Sequence, residues 1–338
     1  MSQVSYTRWR HPLMRRADTI KVIGYNGDEC TLSGPGMGDW GPILAPHSTG
    51  LLSPAPFKTN WSQSALGQRF ESWSPQRRDI AWTVHIMNPE TGNECDPQNV
   101  RDADLWHLIY SRWRAMFHPE HESTIVYTSV DGERRLGVRE IKDPQPFVGA
   151  EFEGGDPHLI SYGSIGMLMG CENPYFIGET EKFVYEWEGT GAHWFPMPYY
   201  NPASVMCWPK WYLTDRAQWT LPDYSFGWEE YGTGIADLGK TVRLPLLREG
   251  ENIDVDSDPS EETIIAENEA PVYERMAGRD LEYPIQPGMG DPENGCIVRV
   301  TNVTNPDGAR CELYLPRWHS DPFGTPRVVG ATVGIGAA

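Results

Sequence analysis

The six cysteines (Cys30, Cys95, Cys171, Cys207, Cys296, Cys311) contain no C-x-x-C pair, which argues against a zinc ribbon or a dithiol redox motif and leaves mostly free thiols as the expectation. No run is long and apolar enough to cross a bilayer. The basic N-terminal residues are followed by neither an apolar core nor a small-residue cleavage site, so a soluble protein without a secretory signal is expected, with Asn60-Trp-Ser and Asn302-Val-Thr unglycosylated. A nucleophile elbow is also missing, because Gly163-Ser-Ile-Gly166 lacks the G-x-S-x-G spacing. Positive charge is scarce in the second half. Net charge is −19, with 16 Lys/Arg against 17 Asp/Glu up to Gly149 and 12 against 30 beyond it. Such a field repels nucleic acid and anionic membranes, so neither is an expected partner.

The chain has 338 residues, enough for two domains that each bury their own core. One stretch carries a clear helical period. From Asp102 to Phe117, apolar Leu105, Ile109, Trp113 and Met116 recur at intervals of three and four, with Asp102 and Asp104 at the start and Arg112 and Arg114 near the end, matching the helix dipole. Pro119 ends it. The segments Ser123–Thr128 and Glu133–Val138, around Val130-Asp-Gly132, then read as a hairpin, as do Thr19–Ile23 and Cys30–Leu32 around Asn26-Gly27. Alternation over Asp79–Ile86 predicts a half-buried strand, and His158–Met169 reads as the closing strand of the same sheet. Ser33–Pro56, rich in glycine and proline, reads as an irregular loop. The second half reads as short strands, at Phe183–Trp187, Ala203–Leu213, Thr241–Leu244, Asn252–Val255, Ile297–Thr301 and Cys311–Leu315, spaced as in a sandwich.

Chemical motifs are few, and each has an ordinary reading. Gly234-Ile-Ala-Asp-Leu-Gly239-Lys240-Thr241 satisfies the phosphate-loop pattern, but that chemistry needs a buried strand before the loop and a helix after it. Here Trp228–Tyr231 is acidic and Val242-Arg-Leu-Pro245 reads as a strand, so Gly234, Gly239, Lys240 and Thr241 are taken as a chance match. His118-Pro-Glu-His121 has ligand-type residues, yet a helix exit favours histidines for dipole reasons alone, and Asp254, Asp256 and Asp258 lack the glycine and late glutamate of a calcium loop. No metal, cofactor or catalytic residue is therefore expected, and the chain is read as not an enzyme. The aromatic surplus in the second half, notably Trp194, Tyr199, Tyr200, Trp208 and Trp211, could stack on a sugar or fill a flat interface. The first sixteen residues hold four arginines and no acid, so Arg8, Trp9, Arg10, Arg15 and Arg16 form a cationic arm. With Arg112 and Arg114, on the expected outer helix face, they are the candidates for contact with a neighbouring subunit.

Asp79–Ile86, Ser111–Phe117 and Ser123–Tyr127 resemble the N-terminal module of distal tail proteins, a family of minor tail proteins in long-tailed phages of actinobacteria. Trp219–Gly227, Gly250–Asp258 and Leu315–Gly324 are similar, in the same order, to the second domain of that family. The resemblance implies a mainly β protein with a basic arm at 1–18, a β-barrel-like ring-forming domain with one covering helix at 19–180, a galectin-like β-sandwich at 181–326 and a small-residue tail at 327–338. It further implies a virion structural protein that forms a ring, typically of six copies, as the hub between tail tube and tip. Its implied partners are itself, the tail tube protein, the tape measure protein and other tail-tip proteins. The alternative reading is a lectin-like module that contacts a host surface glycan.

Overall fold

A computed structural model describes residues 18–87, 100–146, 162–227 and 234–324. The arm residues Arg8, Trp9, Arg10, Arg15 and Arg16, the polar loop before the helix, Cys95 and the 327–338 tail lie outside the described residues. The chain divides into two compact units, one running up to Gly178 and taking in Ser320–Gly324, the other comprising Glu179–His319.

The first unit is a large antiparallel sheet with a helix against it and a separate two-stranded hairpin. Its strands are β1 (Thr19–Ile23), β2 (Glu29–Ser33), β3 (Pro42–Leu44), β4 (Phe57–Ser64), β5 (Gly67–Pro75), β6 (Arg78–Met87), β7 (Ser123–Ser129), β8 (Gly132–Pro146), β9 (Tyr162–Cys171) and the short β10 (Phe176–Ile177), with helix α1 at Val100–Ala115. The order is β2-β1-β7-β8-β9-β6-β3, and β3 comes back against β2, so the sheet curls into a nearly closed barrel. Long β8 makes the bend: Gly132–Val138 pairs with β7, Arg139–Pro146 pairs with β9, and the register shifts between Glu140 and Gln145. The expected closing strand is a correction here, because β9 lies in the middle of the sheet between β8 and β6. The loop expected over Ser33–Pro56 contains the edge strand β3.

Alternation puts Ile80, Trp82, Val84 and Ile86 of β6 inside, where they meet Trp106, Ile109, Trp113, Met116 and Phe117 from the helix and its exit. At the helix exit, 3-10 hydrogen bonds Met116 N–H to Trp113 O and Phe117 N–H to Arg114 O tighten the last turn. Two buried arginines tie loops to this core. Arg78 donates to four backbone carbonyls, Gly50 at 2.8 Å, Ser53 at 2.6 Å, Pro174 at 2.8 Å and Ser320 at 2.8 Å, with Phe176 stacked 4.9 Å away. Arg134 donates to Asp321 O at 2.7 Å and Gly324 O at 3.1 Å. These bonds anchor the returning segment Ser320–Gly324, helped by Gly324 N–H to the Asp131 carboxylate at 2.7 Å and by Phe323 packed on Tyr127.

The second unit is a sandwich of two antiparallel sheets. One has the order β11-β19-β13-β16-β17, using β11 (Glu181–Trp187), β13 (Lys210–Leu213), β16 (Ile253–Asp256), β17 (Ile264–Ala266) and β19 (Ala309–Leu315); the other is β12-β18-β14-β15, using β12 (Gly191–Tyr200), β14 (Gln218–Pro222), β15 (Thr241–Arg243) and β18 (Gly290–Val303). Inward residues of both faces, among them Phe195, Met197, Trp211, Leu213, Trp219, Val255, Val298 and Leu313, share one core. The strand expected over Ala203–Leu213 is only Lys210–Leu213, preceded by an isolated bridge from Cys207 to Ile285. The five described cysteines are buried and unbridged, and burial pushes the Cys30, Cys171 and Cys207 thiols up to about 12, which makes them inert at neutral pH. No described helix is long and apolar enough to cross a membrane.

Candidate functional site

Among the described residues of the first unit, the most exposed apolar surface is a hairpin that pairs with nothing but itself. Strands β4 and β5 form a separate two-stranded sheet from Phe57↔Pro75 to Ser64↔Gly67, turned by Ala65-Leu66. Phe57, Trp61, Phe70 and Trp73 are 46–64 % exposed, and Leu66 at the tip is fully exposed. Among the described residues these rings stack only on each other, Phe57 edge-on to Trp73 at 6.3 Å and Trp61 edge-on to Phe70 at 5.4 Å. A two-stranded hairpin is marginal in water, and an aromatic surface of this kind normally meets a partner. The sequence reading missed these residues. The available signal was four aromatics set among polar residues, without the one-faced alternation that marks a strand covering a core.

In the second unit a cavity of about 760 Å³ is lined by Trp208, Trp211, Tyr314 and Trp318 and by the carboxylates of Asp254, Asp256, Asp258, Glu261 and Glu262, with Lys210 as its one cation. Lys210 is paired with Asp256 at 2.5 Å, and none of the other four carboxylates has an ion pair among the described residues. Asp258 instead caps its own turn, accepting from Ser260 N–H at 2.9 Å and Ser260 Oγ at 2.6 Å. Burial, and after it the charges of Glu267 and Glu312, push the Asp254 carboxyl up. The groove is thus acidic and aromatic. The five aromatics singled out in the sequence do not form one platform. Tyr199 is 2 % and Trp211 1 % exposed, both in the core, because their strand positions point inward. Trp194 is exposed but lies on β12 in the opposite sheet; Tyr200 is half-buried, held by Glu181 at 3.1 Å and by Arg317 over its ring. Trp208 alone remains as a half-buried groove residue, with Trp211 behind it.

On helix α1, Arg112 and Arg114 are not free. Arg112 binds Asp28 at 2.8 Å and stacks on Trp40 at 4.4 Å, while Arg114 forms a forked pair with Glu140 at 2.9 Å and 3.5 Å. The Arg112 contact holds the Asp28 carboxyl below its ordinary value. Both guanidinium groups therefore brace the helix on its own sheet, which corrects the expectation that they project freely. At the helix exit the structure does gather His118, Glu120 and His121, whose ligand atoms all lie within 4.8 Å of one another, the one such His/Cys/Asp/Glu group among the described residues.

The phosphate-loop match has a different geometry. Gly234–Asp237 is a 3-10 turn and Thr241 opens β15, so no helix N-terminus follows the loop. Lys240 is engaged by the buried Asp223 carboxylate at 2.9 Å and by Glu282. Burial works against its charge, but Glu282 and Asp223 outweigh it and hold the ammonium above its ordinary value. That lysine is a structural cation, not a phosphate ligand.

No family model matches the chain. Two relatives do. The minor tail protein Gp27 of Mycobacterium phage D29 is 34 % identical over 325 residues, covering 80 % of this chain and 89 % of that protein. The minor tail protein Gp27 of Mycobacterium phage L5 is 30 % identical over 160 residues, 44 % of this chain, and the match spans less than half, 43 %, of that protein's length. Among solved structures, the SPP1 Dit protein (gp 19.1), described as a paradigm of the hub adsorption apparatus in phages that infect Gram-positive bacteria, superposes with a TM-score of 0.52 at 10 % identity, over 90 % of this chain and 99 % of that one. The two-unit β architecture is therefore the distal-tail fold, and the extent and identity of the D29 match show that the chain belongs to the Gp27 family of minor tail proteins, structural components of the phage tail.

Proposed function

We propose that the chain is a non-enzymatic hub subunit of the tail tip, six copies of which close a ring that joins the tail tube to the tip. The observation that carries the reading is the β4–β5 hairpin, an aromatic arm that the described residues of its own chain leave uncovered. In a cyclic assembly each copy offers one such arm and receives one, a heterologous contact that closes on itself. The likeness of fold to a hub protein supports the same role. Residues 19–180 would be the ring-forming domain and 181–326 the galectin-like domain that docks other tail-tip proteins, with the tail tube and tape measure proteins as axial partners. The basic arm supplies a second contact: Arg8, Arg10, Arg15 and Arg16 match the acidic groove around Asp254 and Glu262, and Trp9 matches its aromatic wall, in a neighbouring copy.

Electron microscopy and native mass spectrometry of the purified chain test the ring. A closed ring is expected, and a monomer at every concentration overturns the reading. The double variant Trp61→Ser/Trp73→Ser is expected to keep the melting temperature and lose the ring. Deleting residues 1–16 and finding the ring unchanged would sink the arm contact alone. The same groove is where a lectin-like reading would place a sugar; saturable binding on a glycan array, lost in Trp208→Ala, would favour that alternative.

A further inference from the structure

We propose that His118, Glu120 and His121 form a binding site for a divalent transition-metal ion of the zinc, cobalt or nickel class. The three residues are consecutive but for one, and Pro119 locks the backbone between the first two. Their ligand atoms lie within 4.8 Å of one another. A metal with bonds of about 2.0–2.2 Å to imidazole nitrogen and carboxylate oxygen needs only modest rotation of such side chains, of which Glu120 and His121 are exposed and His118 half-buried. Two imidazoles and a carboxylate, with water completing the shell, make an open three-ligand site of the kind zinc accepts.

Three further features fit a cation here. The Glu120 N–H donates to His118 Nδ1 at 3.1 Å, which fixes the His118 ring against the loop that carries the other two ligands. Tyr25 then packs on both rings, 5.2 Å from His121 and 5.6 Å from His118, and the two imidazoles lie 4.9 Å apart, so the ligands are gathered before any ion arrives. Finally, the cluster follows directly on the C-terminal end of the sixteen-residue helix α1, the negative end of its dipole. The acidic groove of the second unit differs on this point. No three of its carboxylates approach within 4.8 Å, so its charges are spread along the groove and do not converge on a point.

The test uses the full chain freed of metal by a chelator, then titrated with zinc sulfate by calorimetry and with cobalt chloride by visible absorption. One equivalent per chain is expected, with a cobalt d–d spectrum that reports nitrogen and oxygen ligands, a raised melting temperature for the first unit, and weaker binding on acidification as protons compete for the imidazoles. His118→Ala and His121→Ala should each weaken binding by about tenfold or more, and Glu120→Gln by less. His107→Ala, a histidine on the helix itself, should leave it unchanged. Because the three ligands are not part of the core, their metal-free variants should melt like the parent chain, which separates a lost site from a lost fold. Absence of a saturable single equivalent, or an affinity unchanged in the His118→Ala/His121→Ala double variant, overturns the proposal. Either result leaves the ring reading untouched, since no part of that reading uses this cluster.

Discussion

The two units differ in the buried charges they lean on most, although the second also keeps a buried arginine, Arg317, which donates to the Tyr200 carbonyl at 2.7 Å and pairs with Glu181. In the first, the buried ions include arginines: Arg78 and Arg134 are 1 % and 2 % exposed, and the bonds they make are to backbone carbonyls of loops. In the second, buried carboxylates take this part. Asp223 accepts from the Glu282 and Tyr283 amides and from Lys240, Glu251 from the Arg248 amide and Arg275, and Asp215 from the Gly250 amide and Asn305. Each choice suits what it ties down. A guanidinium with five fork-shaped donors can gather several carbonyls at once, which irregular loops supply; a carboxylate gathers amide N–H groups, which turns supply. The charge asymmetry of the sequence is therefore partly an interior property. It also makes the arginine-to-carbonyl ties of the first unit indifferent to pH and the carboxylate ties of the second titratable.

The comparison is broken most directly at Arg78. Arg78→Met keeps the aliphatic volume and leaves four carbonyls without their donor, so we predict a loss of about 3–5 kcal/mol in the stability of the first unit, read from urea unfolding. A loss below about 1 kcal/mol would mean that water replaces the guanidinium and that the tie is not structural. The counterpart is Asp223→Ala, which orphans two amides, leaves Lys240 with Glu282 as its remaining carboxylate, and should cost the second unit about 2–3 kcal/mol. Asp223→Asn, which keeps an acceptor for the amides, should recover part of this. Recovery of all of it would assign the tie to hydrogen bonding and none of it to the ion pair.

Titration sharpens the contrast at Glu312. Burial works against its charge, but Lys182 at 2.7 Å, the Tyr314 hydroxyl and Arg310 hold the carboxyl down to about 2, below its ordinary 4.5. Because the folded value is the lower one, its contribution is complete above about pH 4.5 and is lost as pH falls through that window toward 2. Melting curves of Glu312→Gln and the parent chain should differ most at neutral pH and converge across that window, in the transition of the second unit. A difference that stays constant with pH would remove Glu312 from the acid response.

How much of this was legible in the sequence depended on whether a segment buries one face. Asp79–Ile86 alternates because one side of β6 meets the core, and Asn26-Gly27 announces its turn chemically; both read correctly. Helix α1 read correctly as an element, and its seam is wider than the sequence suggests: Leu105 packs against the core partly buried, and Trp106, the more buried residue of that turn, joins Ile109, Trp113 and Met116. β12 was missed because Pro196 and Pro198 speak against a strand, yet β12 is the edge of its sheet, where a missing N–H costs no ladder bond. The β4–β5 hairpin was missed for the opposite reason. Neither of its faces is covered by the described residues, so the pattern that would reveal a strand has no core to record. The candidate surfaces were less legible still, because the groove draws on four separate stretches, around Thr180, Trp208, Asp258 and Trp318, and only the fold brings them together.

The smallest effect is expected at Arg112, where a charge of the first unit sits on the surface. Its pair with Asp28 is 2.8 Å long, but the two side chains are 47 % and 30 % exposed, so solvent screens the attraction. Stacking on Trp40 adds a contact that glutamate could not make. Arg112→Glu places like charges together and should cost about 1 kcal/mol or less, against several for Arg78→Met on the same unit. The two parent residues carry the same charge and differ in burial, which is the feature that sets the two costs apart. If Arg112→Glu keeps this small cost in the isolated chain and still prevents ring formation in native mass spectrometry, the helix face around Arg112 is a subunit contact. If the ring forms normally, the residue only braces the helix against Asp28, and the interface is left to the hairpin and the arm.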